Sequence, residues 1–396
     1  MRAKLCALTC VAFLLQLGCA GDSSDEGISA VVRDSAGVRI VEFDGPLAPV
    51  ERIDVGEPVY RHGSGTNHYL FDRIIAGSLH PDGRAVVADA GSNEVVVLAL
   101  DGSAVTTLLT QGQGPNEVQG VLSVHAQPGD TVIIEDDGNG RILVLRGSSV
   151  VRAVRIDGML VSGLLALSMT EEGHLLMGTS SFRSDAGEGW IPGYMVRLEL
   201  RSDPSPDTVG SYDMAISRPR GEPYNAFGPA GHLTATPDGF IHGRSDRAEV
   251  IWETPEGEVA QIVRWLPQPA YPTQEDLNAY IDEYRTMLTR FNPGMPEVRV
   301  QEMVDDLNAS LDQPVPLYQY LKGHSDGSLW MTDFNVRNMM SNEPREYLQV
   351  SADGEEVRRV VFPESVRILD ASDGQVLGVV TDEMDVQHVV VYNLEP

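Results

Sequence analysis

From residue 81 to residue 394 the chain repeats one pattern of apolar and polar positions: a turn built on Asp-Gly or a variant, an apolar strand, a polar tight turn, a second apolar strand, another Gly turn and a third strand. Six copies can be laid out. The first has Pro81-Asp82-Gly83, Ala85–Asp89, Glu94–Leu100 and Val105–Leu109, and the second has Pro128-Gly129-Asp130, Thr131–Asp136, Arg141–Leu145 and Val150–Ile156. The third starts at Glu172-Gly173 and carries a longer loop around Trp190, the fourth starts at Pro237-Asp238-Gly239 and the fifth at Ser325-Asp326-Gly327. The sixth runs from Ser372-Asp373-Gly374 through Gln375–Asp382 and His388–Leu394, where it stops without an outer strand.

A four-stranded blade needs an innermost strand before each Asp-Gly turn and an outer strand after the last Gly turn. The expected fold is therefore all-β, a six-bladed β-propeller of four-stranded blades occupying residues 37–396. Two spare β-like segments, Val38–Phe43 and Glu51–Val55, precede the first copy, and one of them is expected to complete blade six and close the ring. Closure removes the sheet edges that invite aggregation.

Residues 271–316 break the strand period. Thr273 has the chemistry of an N-cap, Glu275 and Asp276 sit in the first turn, and Leu277, Tyr280, Ile281, Tyr284 and Leu288 follow a helical stripe. After Asn292-Pro293-Gly294 a second stripe runs through Val300, Met303, Val304, Leu307 and Leu311, so a helical hairpin is expected between blades 4 and 5. It is either a lid or binding element or a flank packed on the side of the propeller.

The N-terminus is not part of that fold. Arg2 and Lys4 precede an apolar run from Leu5 to Leu17, the layout of a secretory signal and too short for a stable membrane span. Leu15-Gln16-Leu17-Gly18-Cys19 resembles the lipobox of bacterial lipoproteins, apart from Gln16 where a leucine is usual. The resemblance implies cleavage after residue 18 and lipidation of Cys19, with residues 19–36 as a polar tether. Cys6, Cys10 and Cys19 all fall in this segment, which leaves no thiol for a disulfide or a thiolate metal site in the folded part.

Charge narrows the partners. Loss of Arg2 and Lys4 takes the formal charge from −29 to −31, and such a surface repels phosphate backbones and anionic lipid heads. Nucleic acid is excluded as a partner, and membrane contact is expected through the lipid alone, on a monomer in the cell envelope facing the periplasm or the outer membrane. Ala20 after the cysteine lacks the Asp that retains many lipoproteins at an inner membrane.

The second copy carries a nameable pattern. Asp136-Asp137-Gly138-Asn139-Gly140-Arg141-Ile142-Leu143-Val144-Leu145 resembles the NHL repeat, and Gln111 to Val118 is similar to the Gly-rich segment that links NHL blades. The first copy, Asp89 to Leu98, keeps the frame without the Asn and Arg, and the fifth keeps Asp333 in a wider turn. The resemblance covers residues 60 to 396 and implies architecture far more than activity.

The candidate chemistry is sparse. Gly112-Gln113-Gly114 is not a dinucleotide fingerprint, because Glu117 stands where a third glycine is needed and no helix follows. Asp89, Asp136, Asp333 and Asp382 end the second strands, where a repeated Asp accepts hydrogen bonds from turn amides; the competing reading is a shared calcium site in the pore. His80 and His125 are read at equivalent positions, as a weak candidate metal pair at one end of the channel. No nucleophile elbow, HExxH or other local triad is present, and the Asn308-Ala309-Ser310 sequon has no role in a bacterial lipoprotein.

Arginines and aromatics gather on the loops: Arg183 and Trp190 in blade three, then Arg218, Arg220 and Tyr224 before blade four. Such groups anchor binding faces, although arginines among so many acids also serve to hold loops. The expected function is an envelope lipoprotein whose propeller binds a protein, peptide or glycan without a cofactor. The alternative is a metal-dependent propeller hydrolase or lyase, by analogy with lactonases and NHL-like amidating lyases, holding calcium or zinc in the central channel.

Overall fold

The computed structural model describes residues 30–394 apart from 48, 50, 63–68, 128, 157–163, 171, 181–188, 200–205, 218–226, 292–293, 295, 309–313, 337–344 and 373. The strands form six sheets, one per repeat. Blades 1, 2 and 3 have inner strands Ile74–His80, Val121–Gln127 and Leu164–Met169, and blades 4, 5 and 6 have Gly231–Thr236, Tyr318–Gly323 and Arg367–Ser372. Each inner strand turns back into the apolar strand seen in the sequence, and the meander continues outward.

Alternation explains why these strands are apolar on both faces. In Arg84–Asp89 of blade 1, Val86 and Ala88 pack toward blade 2 while Ala85 and Val87 pack toward blade 6. In Thr131–Asp136 of blade 2, Val132 and Ile134 face blade 1 and Ile133 faces blade 3. Buried clusters of this kind join each blade to the next around the whole ring, blades 3 to 4, 4 to 5 and 5 to 6 included. A strand covered on both faces reads as a continuous hydrophobic run. Close approach near the axis uses glycine: a Cβ on Gly323 would lie 2.6 Å from the Thr236 methyl carbon, and one on Gly77 would lie 2.7 Å from a Leu369 methyl carbon.

The ring closes differently from the sequence expectation. Val38–Phe43 lies parallel to Val259–Arg264 at the outside of blade 4, and Glu51–Asp54 lies parallel to Val357–Val361 at the outside of blade 5. The outer strand of blade 6 is Tyr60–Arg61, antiparallel to Gln387–Asn393 and extended by bonds from Val59 N to Val391 O and from His62 N to Val389 O, both 2.8 Å. Ala30–Ser35, inside the stretch read as tether, pairs with Val38–Phe43 and is also a strand. The N-terminal segment thus runs around the rim of three blades before blade 1 begins.

The insertion is a pair of helices, α1 (Gln274–Phe291) and α2 (Glu297–Asn308). The N-cap at Thr273 is reciprocal: its Oγ1 accepts from Asp276 N at 3.1 Å, and Asp276 Oδ2 accepts from Thr273 N at 3.1 Å. Leu277, Tyr280, Ile281 and Val304 form a separate small core with Phe227, from the segment entering blade 4, and with Val336 and Phe334, beyond the second strand of blade 5. The hairpin therefore packs on the end of the ring where the inner strands begin, not along the flank.

A polar ring in the central channel

Strand register aligns the inner strands residue by residue. Ser78 lies opposite Val86, His125 opposite Ile133, Ser168 opposite Leu176, Thr234 opposite Ile241, Lys322 opposite Trp330 and Asp370 opposite Leu377. Each of the six stands one pleat before the residue that enters its blade's first turn. All six are polar, and all line one cavity of about 470 Å³ along the axis. Small-ligand pockets occupy roughly 300–1,000 Å³.

Four members of the ring are tied to neighbouring blades. Asp370 Oδ2 accepts from Ser78 Oγ at 3.0 Å and Leu79 N at 2.9 Å, and its Oδ1 accepts from Ser325 Oγ and Ala371 N, both at 2.9 Å. Thr234 Oγ1 accepts from Gly323 N at 3.1 Å, and Lys322 Nζ donates to Leu369 O at 2.6 Å. Burial opposes the Asp370 charge, but His324 beside it and these donors outweigh that and hold its pKa below the usual carboxylate range. Burial pushes the Lys322 ammonium down to about 8 and His125 down to about 4. His324, with Nδ1 3.7 Å from Asp370 Oδ1, is also lowered by burial.

Glu135, on the second strand of blade 2, lines the same cavity. Its Oε2 accepts from Ser123 Oγ at 3.0 Å, and burial raises its pKa to about 7. Four buried groups of this lining carry side-chain atoms with no hydrogen-bond partner among the described residues: His125 Nε2, Glu135 Oε1, Tyr320 OH and both ring nitrogens of His324. Buried polar atoms rarely stay unpaired. Tyr320 also borders a second cavity of about 350 Å³, lined by Arg345, Arg359 and Arg367.

The repeated aspartates are clamps outside this cavity. Asp89, fully buried, accepts from the amides of Asp72, Arg73 and Gly91 at 2.8–3.0 Å. Asp136, equally buried, takes Gln119 N at 2.7 Å and both Asn139 Nδ2 and Arg141 Nε at 2.8 Å. Arg141 continues to the carbonyls of Gly114 and Glu117, so the motif that carries the NHL resemblance staples the linker between blades 1 and 2. Asp382 accepts from Met384 N, Val386 N and His388 Nε2. Asp333 departs from the pattern: it is exposed and lies 3.7 Å from Arg359.

His80 and His125 are not equivalent. His80 is the last residue of its strand, opposite Arg84, whereas the matching last residue in blade 2 is Gln127, opposite Thr131. His125 faces the channel, while His80 forms with Asp82 and Asp130 the one group of three candidate donors within 4.8 Å among the described residues, away from the channel. There the Arg84 guanidinium already bridges both carboxylates at 2.5 Å. The described channel residues bring no three donors that close together, and Lys322 adds a cation to the ring, so they do not fit a channel metal.

Of the loop candidates, Trp190 is half-buried in Gly189–Glu199 with the Arg244 guanidinium carbon 4.0 Å above its ring. Arg244 also pairs with Asp213 at 2.9 Å and Asp246 at 2.6 Å, so this aromatic is engaged in holding blades 3 and 4 together. Arg183, Arg218, Arg220, Tyr224 and Cys19 lie outside the described residues. Residue type hides the ring in the sequence, because its six positions hold two serines, a threonine, a histidine, a lysine and an aspartate. The signal is a polar residue five positions before Gly83, Gly173, Gly239 and Gly327, five before Asp130 and four before Gly374.

No known protein family matches the sequence, and no curated protein is detectably similar to it. Solved structures share its architecture loosely. A Bacteroides fragilis protein described as exported is 10% identical, covering 89% of this chain and 99% of its own with a TM-score of 0.49. A catalytically inactive virginiamycin B lyase from Staphylococcus aureus, solved with quinupristin, is 11% identical over 83% of this chain and 97% of its own, with a TM-score of 0.40. A luciferin-regenerating enzyme is 11% identical over 82% and 92%, with a TM-score of 0.41. Likeness at this level carries nothing about the activity of this chain.

Proposed function

We propose that this chain is an envelope-tethered binding propeller, held by a lipid on Cys19, whose ligand sits in the central channel. The observation that carries this reading is the six-residue polar ring around a cavity of about 470 Å³ whose lining holds buried, unpaired polar atoms. A cavity of this size suits a small molecule or a single side chain of a larger partner, such as an envelope protein, peptide or glycan. The serine hydroxyls of the lining that meet carboxylates, Ser78 and Ser325 on Asp370 and Ser123 on Glu135, tie the walls together, while the unpaired atoms come from two opposite blades, so binding is the reading favoured over catalysis.

The test is thermal shift of the exported protein against a panel of small polar compounds, run beside Ser168→Phe, which places a ring in the cavity. The channel reading expects stabilising compounds for wild type that lose their effect on the filled variant. Equal stabilisation of both proteins places the site elsewhere and refutes it.

A further inference from the structure

Hydrogen-bonding capacity in the channel is distributed unequally between two walls. In a ring of six blades, blade 2 stands opposite blade 5. Blade 5 contributes Lys322, Tyr320 and His324, and blade 2 contributes His125 and Glu135. Among the described residues the Lys322 ammonium donates only to Leu369 O, which leaves two of its three N–H groups for a ligand. Tyr320 OH lies on the same strand, one pleat away, and has no hydrogen-bond partner among the described residues. Burial raises its pKa well above the ordinary tyrosine value, so it stays protonated and able to donate.

Asp370 does not occupy this donor wall. Its two oxygens already accept five hydrogen bonds, from Ser78, Leu79, Ala371 and twice from Ser325, and its charge acts on Lys322 without an ion pair between them among the described residues. Across the axis the unpaired atoms among the described residues are Glu135 Oε1, an acceptor when the carboxyl is ionised, and His125 Nε2. An anionic acceptor group therefore suits blade 5, and a donor suits blade 2.

We propose that the channel selects a small dipolar carboxylate, with its acid group on Lys322 and Tyr320 and an ammonium or hydroxyl donor on Glu135. This rests on the channel being the binding site. An ion placed between matched walls gains where a singly charged molecule leaves one wall unpaired, since buried polar groups left without a partner are costly.

The probes are glycine, β-alanine and γ-aminobutyrate, with propionate, propylamine and glycerol as controls, titrated calorimetrically into the exported protein. At least one amino acid is expected to bind about tenfold or more tightly than both its acid-only and amine-only counterparts. Lys322→Met is expected to erase the preference for the acid group and Glu135→Gln the preference for the amine. Tyr320→Phe, which removes one hydroxyl, gives the same direction of loss as Lys322→Met should that variant not fold. If none of the amino acids binds, or propionate, propylamine and glycerol bind as well as they do, the dipolar class is overturned, and binding that is lost in Ser168→Phe still leaves the channel as the site. Binding that survives in Ser168→Phe overturns the channel reading as well.

Discussion

Glu135→Gln tests the energetics of the channel wall most directly. The carboxyl is buried, with 3% of its residue surface exposed, and bonded on one oxygen to Ser123, and burial moves its pKa from 4.5 to about 7. Because the folded-state value is raised, stability is complete below the unfolded pKa and falls as pH rises through the folded one. Below 4.5 the group is protonated in both states; between 4.5 and about 7 the unfolded chain ionises first; above that the full cost of a buried charge is paid. At ~1.4 kcal/mol per unit the shift amounts to ~3 kcal/mol. Gln has nearly the same shape and cannot ionise, so the variant should match wild type up to a constant offset in acid and gain ~3 kcal/mol on it by mildly alkaline pH. Urea midpoints from far-UV circular dichroism and tryptophan fluorescence, taken across that range, measure the difference. A gap that does not change with pH, or that closes as pH rises, would show that Glu135 is not held in the dry environment described.

Three further outcomes follow from other residues. His125 is depressed from 6.5 to about 4 by burial, so its contribution is present above 6.5 and lost as pH falls; His125→Asn should remove up to ~3 kcal/mol of acid sensitivity in that window, and an unchanged acid limb of the stability curve argues against it. Asp136→Ala strands the largely buried Arg141 guanidinium, 14% exposed, and should cost ~3–5 kcal/mol in urea unfolding; a loss below ~1 kcal/mol means the clamp is not what seats the linker. Val59→Pro removes the donor to Val391 O while leaving an already exposed side chain, so hydrogen exchange should quicken in the outer half of blade 6 and not in blade 2; uniform exchange across both blades contradicts Tyr60–Arg61 as the closing strand.

The sequence made the blades legible because each middle strand is covered on both faces and so reads as unbroken apolar residues, as in Ala85 to Ala88 or Ile133 and Ile134. The helices were legible for the corresponding reason, a one-sided stripe through Leu277, Tyr280 and Ile281 that found a core of its own. Closure was not. The closing strand is two residues long and follows Pro58, with no alternation to mark it, while Val38–Phe43 has the apolar pattern of a blade strand because Ile40, Val41 and Phe43 are buried at the outside of blade 4. A hydrophobic pattern reports burial and not which sheet provides it. Residue type alone is a weak mark of a binding loop, as Trp190 shows, because Arg244 covers its ring.

The channel was hardest to see because its residues differ from blade to blade while their position does not. Inner strands have no strand on their axial side, so polar side chains there can serve the backbone of the neighbouring blade. Asp370 reaches Leu79 of blade 1 and Ser325 of blade 5, Lys322 reaches Leu369 of blade 6, and Thr234 reaches Gly323 of blade 5. These bonds run through blades 4, 5, 6 and 1 and lock that arc of the ring. Among the described residues no comparable bond ties His125 or Ser168 to a neighbour, so the arc of blades 2 and 3 keeps its capacity for something in the channel. Substitutions on the locked arc should therefore cost stability first, and substitutions at His125, Glu135 or Ser168 should change ligand preference at smaller cost to the fold.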